Sequence, residues 1–376
     1  MGTAILTEYD IAIIGGGIVG SVAALLLSQQ SSLKIALIDE NKKTDSFSRV
    51  SAISPASKKI FQSLNCWSAI ELKGASPYLK MFVWDAESEG KIEFNSSDIA
   101  ENDLGFIIED AVIKASLSEA LSKQKNIELL SKKLDSLESV SAKLIIGADG
   151  ANSWVREQTS LCMKEADYGH TAIVTTVKTE TPHQKTAWQR FLKNGPLAFL
   201  PLIDPNTSSI VWSMDPEHAN KLLALSDDDF CAELSEAFDH KLGKVTHCTK
   251  RFSFPLRMRH VKNYIQDNIV LIGDAAHTLH PLAGLGLNLG LKDAKCLAEF
   301  ILAAFQKGRD FSSFNTLRKY ERARKSDNAL MIKTIGLLKE LFASEKVALK
   351  SLRSTGLNVL NQMPIFKNLL MQYHFK

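Results

Sequence analysis

Apolar positions along this chain follow two periods, and glycine-rich loops stand where one gives way to the other. Tyr9–Ile14 is a short β-branched run, residues 17–29 switch to helical spacing, and residues 34–38 return to strand character ending at Asp39. Strand, helix and strand in that order predict the first βαβ unit of a doubly wound parallel sheet. Residues 80–85 and 91–94 alternate around a turn at 87–90, as a hairpin does. Helical spacing resumes at 112–122, residues 143–147 read as a buried strand, and strand-like runs at 172–177, 197–202 and 209–213 dominate the stretch from 172 to 256. Residues 268–305 return to strand-then-helix, and apolar residues at helical spacing continue to the C-terminus. The expected fold class is α/β: a Rossmann-like nucleotide-binding domain, an inserted mostly antiparallel β domain and a C-terminal helical tail. The nucleotide-binding domain is placed at 1–78, 99–165 and 263–330, the inserted domain at 79–98 and 166–262, and the tail at 331–376.

Composition removes several function classes. A chain of 376 residues with 45% hydrophobic and 23% charged residues is an ordinary globular protein able to bury a large core. A net charge of +3 gives no electrostatic footprint for nucleic acid. The five cysteines are odd in number and widely spaced, which suits free thiols in a reducing compartment, and the nine histidines fall into no metal-ligand pattern. Residues 11–33 carry no charge, but Gly15, Gly16, Gly17 and Gly20 interrupt them, so strand, turn and helix explain them better than a membrane span. No cationic segment precedes them, so no signal peptide is expected. From Lys333 to Lys376 the tail carries seven lysines and arginines against two glutamates. A basic amphipathic tail either packs on its own domain or rests on an anionic membrane or a partner. The expected location is cytoplasmic, with the inner face of the membrane as a peripheral site.

Three strand-to-loop junctions carry the chemistry. In the first, Gly15 permits a tight turn, Gly17 lets a pyrophosphate approach backbone amides, and Gly20 allows close helix–strand packing. Asp39, 19 residues beyond Gly20, stands where a carboxylate accepts from ribose hydroxyls. A second carboxylate, Asp274, ends a β-branched run, and Pro281, Gly284 and Gly286 then lead into an apolar helix. A strand-end carboxylate suits a ribityl chain. Bare amides at Gly284, Gly286, Leu287 and Asn288 suit the N1–C2=O edge of a flavin ring, which gains negative charge on reduction. The two junctions together indicate FAD rather than NAD. The third junction, 147–150, contributes Asp149, with Arg156 beyond it, for FAD pyrophosphate or a passing nicotinamide cofactor. Arg49, about ten residues past the second strand, is a candidate contact to phosphate or flavin.

At these residues the chain resembles the class A flavin monooxygenases of the p-hydroxybenzoate hydroxylase fold, and more narrowly their ubiquinone-biosynthesis hydroxylase branch. The resemblance rests on Gly-Asp-Ala-Ala-His…His-Pro-Leu-Ala-Gly-x-Gly-Leu-Asn-Leu-Gly at 273–290, Gln-Arg-Phe…Gly-Pro-Leu-Ala-x-Leu-Pro-Leu at 189–202, Ser-Ile-Val-Trp-Ser at 209–213 and Arg-x-x-Ala-Ile-Ser at 49–54. It implies hydroxylation of a polyprenylated phenol or quinol in ubiquinone biosynthesis through a flavin C4a-hydroperoxide, with O₂ as co-substrate and NAD(P)H as transient reductant. It also implies contact with other ubiquinone-biosynthesis proteins. An apolar pocket from Phe191, Leu197, Phe199, Leu200, Val211 and Trp212 would suit such a substrate. Three positions depart from the family pattern: Leu285 for Gln, His170 for Gln, and Asp110 for Asn, beside Glu109, which the resemblance places near FAD. His170 is a candidate phenol-deprotonating base because an imidazole titrates near neutrality. His277 and His280 read as structural ligands of the flavin loop. Two alternatives stay open: a flavin monooxygenase of another aromatic, and a non-catalytic flavin- or lipid-binding subunit of a quinone-biosynthesis complex. The Trp-x-Trp-x-Ile-Pro signature of flavin halogenases is absent.

Overall fold

The computed structural model of the chain describes residues 8–40, 49–278, 285–343, 355–363, 367, 368 and 371. Tyr9–Ile14 lies at the centre of a six-stranded sheet because Ile11–Ile14 are apolar on both faces; Ile11, Ala12 and Ile13 have no exposure. It pairs in parallel with Ile35–Asp39 on one side and Ala142–Gly147 on the other. The sheet then extends in parallel to Ile127–Ser131 beyond the first and Ile269–Leu271 beyond the second, with Ile265–Gln266 antiparallel at that edge. In its cover helix Ile18–Ser28 packs against both Asp110–Ser122 and Leu285–Gln306. The chain leaves the central strand to one side and returns on the other, which makes a topological switch point. Parallel pairing sends the ends of four strands, carrying Gly15, Asp39, Asp149 and Asp274 just beyond them, to one edge of the sheet. Ligands of such folds bind in that crevice.

A nine-stranded sheet faces it. Along its path it runs His277–Thr278, Phe252–Val261, Met163–Thr179, Thr207–Met214, Gly195–Pro201, Thr186–Leu192, Lys80–Asp85 and Lys91–Asn95, with Val245–Cys248 paired to Met163–Thr179. All pairings are antiparallel except that of Thr186–Leu192 with Lys80–Asp85. A three-stranded sheet of Val50–Ile53, Gly105–Glu109 and Ala75–Tyr78 lies between the two.

The β-rich stretch also holds two helices that strand-like periodicity hides, Pro216–Leu223 and Asp227–Ala237. Each begins at a capping side chain: Asp215 accepts from the His218 amide at 2.8 Å, and Ser226 from the Asp229 amide at 3.1 Å. The two helices cover the outer face of the large sheet and bury Phe230, Leu234 and Phe238 against it.

Candidate active site

A cavity of about 1000 Å³ lies between the crevice of the six-stranded sheet and the inner face of the nine-stranded one. Gly15, Gly17, Asp39, Arg49, Asp149, Asp274, Gly286 and Leu287 all line it, although they stand up to 272 positions apart in the chain.

At the first junction Gly15 has a φ of +108°, and a side chain there would meet the Ala148 carbonyl. A methyl on Gly20 would stand 2.0 Å from the Gly15 carbonyl oxygen, so the helix lies on the strand at a distance only glycine permits. Gly17 is the N-cap of Ile18–Ser28, and nothing lies within 4 Å of where its side chain would be. That open space before the amides of a helix start fits a pyrophosphate. Asp39 accepts from the Gly16 amide at 2.9 Å, which fixes its carboxylate beside the loop.

The other two carboxylates also suit a nucleotide with hydroxyl donors. Asp149 Oδ2 accepts from the Val155 amide at 3.0 Å, while its buried Oδ1 has no hydrogen-bond partner among the described residues. Burial pushes the Asp274 carboxyl up from its ordinary value, against the pull of Arg49 and His277. Desolvated carboxylates of this kind favour a ligand that donates hydrogen bonds to them. FAD fits the three junctions: Asp39 would hold its adenosine ribose, the amides around Gly17 its pyrophosphate, Asp274 its ribityl chain and the amides of Gly286 and Leu287 its flavin.

The remaining candidates fall in different places. Arg49 lies at the wall with its side chain 71% exposed, 3.8 Å from Asp110, which also accepts from Ser51 Oγ at 2.5 Å. Asp110 lines the cavity, whereas Glu109 is exposed and stands outside the lining. The strand that ends at Glu109 turns its next residue, the first of helix Asp110–Ser122, inward. Burial pushes the Asp110 carboxyl up, opposed by Ser51 and Arg49. Asn288 is 6% exposed and sits behind the wall as a clamp. Its Oδ1 accepts from the Ser54 amide at 2.9 Å and from Ser57 Oγ at 2.7 Å, and its Nδ2 donates to the Ala52 carbonyl at 2.7 Å. Arg156 donates to the carbonyls of Ala275 and Ala151, both at 2.9 Å, so its guanidinium braces the loops rather than facing a phosphate. His170 pairs with Leu256 at a bulge in strand Met163–Thr179 and is not among the lining residues. Pro281, Gly284 and His280 lie outside the described residues.

His277 is buried, bonded through Nε2 to the buried Asp293. Asp293 also accepts from the Gly273 amide at 3.1 Å and from Arg324 Nε at 2.7 Å. Burial alone would raise the Asp293 carboxyl, but His277 and Arg324 outweigh it and hold it below 3.8. This cluster ties helices Leu285–Gln306 and Phe314–Ala343 to the loop that carries Asp274. Sequence reading missed Asp293 because its partners Gly273, His277 and Arg324 come together only in the fold.

The far wall of the cavity comes from one face of the nine-stranded sheet. Val174, Val211, Ala198 and Gln189 are direct neighbours across four strands, and all line the cavity, as do Ser209, Leu200 and Ala187 in the next row. Of the six residues proposed from sequence for an apolar pocket, Leu200 and Val211 are on this face. Leu197, Phe199 and Trp212 are buried on the opposite face against the two helices, where the Phe199 and Phe238 rings stack at 3.8 Å. Phe191 is outside the lining. Side chains alternate along a strand, so neighbours in a single apolar run serve different surfaces.

Comparison with known proteins agrees with this geometry. Residues 114–333 match the family model described as FAD binding domain. The chain is 33% identical to the ubiquinone biosynthesis monooxygenase COQ6 of Xenopus tropicalis, over 98% of this chain and 93% of that one. It is 31% identical to the 3-demethoxyubiquinol 3-hydroxylase of Escherichia coli K12, over 97% of each. The chain belongs to the FAD-dependent ubiquinone-biosynthesis monooxygenases. Its fold is shared with Pseudomonas aeruginosa PqsL, at a TM-score of 0.78 and 18% identity over 94% of this chain and all of the other. The p-nitrophenol 4-monooxygenase PnpA of Pseudomonas putida DLL-E4 superposes with a TM-score of 0.77 at 16% identity, over 97% of each chain. FAD is therefore the cofactor of this monooxygenase, and the site supplies a place for it.

Proposed function

We propose that this enzyme inserts one atom of O₂ into the ring of a polyprenylated phenol or quinol in ubiquinone biosynthesis, with NAD(P)H as a transient reductant. One observation carries the reading: the FAD crevice opens without a break onto an apolar sheet face lined by Val174, Val211, Ala198 and Leu200. FAD supplies the redox chemistry with O₂ when bound; the chain's residues bind, orient and keep water out. Asp274 and the helix start at Leu285 hold the flavin end, and the sheet face presents the substrate ring to it. Gln189, next to Ala198 in that face, is a polar group within the apolar wall and is assigned to the substrate hydroxyl. The relatives named for ubiquinone and demethoxyubiquinol support the substrate class. Among the described residues no helix is long and apolar enough to cross a membrane. We assign delivery of so apolar a substrate to peripheral contact with the membrane's inner face. The test is substrate-stimulated NAD(P)H oxidation by holoenzyme with ¹⁸O₂, scored as hydroxylated product carrying one labelled atom. Full FAD occupancy with no product from any prenylphenol would instead support the non-catalytic subunit.

A further inference from the structure

We propose that Met371 backs the end wall of the substrate cavity and so sets how long an apolar tail the cavity admits. This rests on the substrate class proposed above. The C-terminal segment begins its approach at the edge of the nine-stranded sheet. In helix 355–361, Asn358 and Asn361 stand three positions apart and so share a face. Asn358 Oδ1 accepts from the Lys91 amide at 3.2 Å, and Asn361 Oδ1 from the Glu93 amide at 3.0 Å. Asn358 Nδ2 also donates to the Glu89 carbonyl at 3.2 Å. Two side-chain amides thus cover the open edge of strand Lys91–Asn95.

Farther on, Lys367 meets Asp98 at 2.9 Å, and Asn368 donates to the Asp98 carbonyl at 2.9 Å. These contacts deliver Met371 to a small apolar cluster, where it is 2% exposed. Its companions there include Ala52, Tyr78, Ile107 and Ala187, and each of these four also lines the cavity. Met81 and Leu200 pack against the same cluster and line the cavity too. The wall at this end is therefore a single layer of side chains, with Met371 behind it.

The cavity is about 1000 Å³ and has to hold a dinucleotide as well as the substrate ring. A long isoprenoid chain is too large for what is left, and the apolar lining at the Met371 end is a surface chemically suited to it. The Met371 end is one where the wall is thin and where the layer behind it is held by side-chain contacts to a hairpin. A methionine there yields to shape, since its unbranched side chain adapts to irregular space.

The experiment uses holoenzyme and two substrates with the same phenol ring, one carrying a short isoprenoid tail and one carrying none. FAD affinity is measured alongside by fluorescence titration. Met371→Trp should raise KM for the tailed substrate by about tenfold or more. Any effect on FAD affinity and on the kinetics of the tail-less ring should be far smaller. Met371→Ala should admit tails longer than the wild-type enzyme turns over. The pair Asn358→Ala and Asn361→Ala, which touches no cavity residue, should relax tail discrimination in the same direction as Met371→Ala. Equal effects of Met371→Trp on both substrates, or none on either, would overturn the inference while leaving the proposed function standing. Wild-type enzyme that hydroxylates the tail-less ring but rejects every prenylated one would overturn the substrate reading, and this inference with it.

Discussion

Asp293 braces the loop that carries Asp274, so replacing it should weaken FAD binding without removing any group that faces the cavity. It has no exposure, yet its carboxylate accepts from Arg324 Nε at 2.7 Å and the Gly273 amide at 3.1 Å and is bonded to His277 Nε2. Asn328 adds a longer contact at 3.4 Å. Asp293→Ala removes the acceptor shared by these groups and leaves the Arg324 guanidinium, itself 6% exposed, beside a void. Breaking one side of a buried ion pair costs about 3–5 kcal/mol, and the contacts Arg324 keeps to Asp327 at 2.8 Å and Asn328 at 3.0 Å put this substitution toward the lower end. That is a large share of a domain's net stability, so the unfolding temperature should fall by several degrees. The loop from Gly273 to Thr278 carries Asp274 into the cavity, so FAD should also be released at lower temperature than the wild type releases it. The sign with pH follows from the shift. His277 and Arg324 outweigh burial and hold the Asp293 carboxyl below 3.8, so its contribution is complete above that pH and is lost on acidification below it. Differential scanning of flavin fluorescence across a pH series reads both quantities. An Asp293→Ala enzyme that keeps wild-type unfolding temperature and FAD affinity at neutral pH would refute the reasoning.

Three further substitutions test separate parts of the site. Gly20→Ala places a methyl 2.0 Å from the Gly15 carbonyl oxygen, and overpacking of this kind costs about 1–3 kcal/mol or more; purified protein should be largely colourless. For Asp274, whose carboxyl burial raises above 3.8, the ionised form is the one that accepts from ribityl hydroxyls. FAD affinity should therefore fall as pH drops through that raised value, before the Asp293 cluster titrates, and Asp274→Asn should bind FAD weakly with this pH dependence flattened. Adjacent positions of one strand should separate cleanly. Val211→Phe fills the cavity and should raise KM for the aromatic substrate with little change in unfolding temperature. Trp212→Ala, on the opposite face, should cost about 3–5 kcal/mol in stability with KM held.

What the sequence made legible followed from local rules, and what it hid required two distant segments to meet. Gly15, Asp39 and Asp274 stand at or just past strand ends, with Gly17 and Gly20 opening the helix that follows the first, and a parallel sheet has one edge to which such ends go, so pattern alone placed them together. Helices Pro216–Leu223 and Asp227–Ala237 went unread although Asp215-Pro216 and Ser226 with three following aspartates are helix starts, because strand periodicity in the surrounding residues masked them. The inner face of the large sheet was half legible. Alternation says that Val211 and Trp212 point to opposite sides, but which side meets the cofactor depends on where those two helices pack. Asp110, by contrast, was seen only as a departure from a family pattern, because the turn from strand Gly105–Glu109 into the following helix decides which of two adjacent carboxylates faces inward. Asp293 lay deepest. An aspartate in an apolar helix reads as an error in isolation; it becomes necessary only once Arg324 and His277 arrive from other segments to neutralise it. Buried charge in this enzyme thus marks the join between the cofactor loop and the helices behind it, and that join is where sequence motifs stop short of the mechanism.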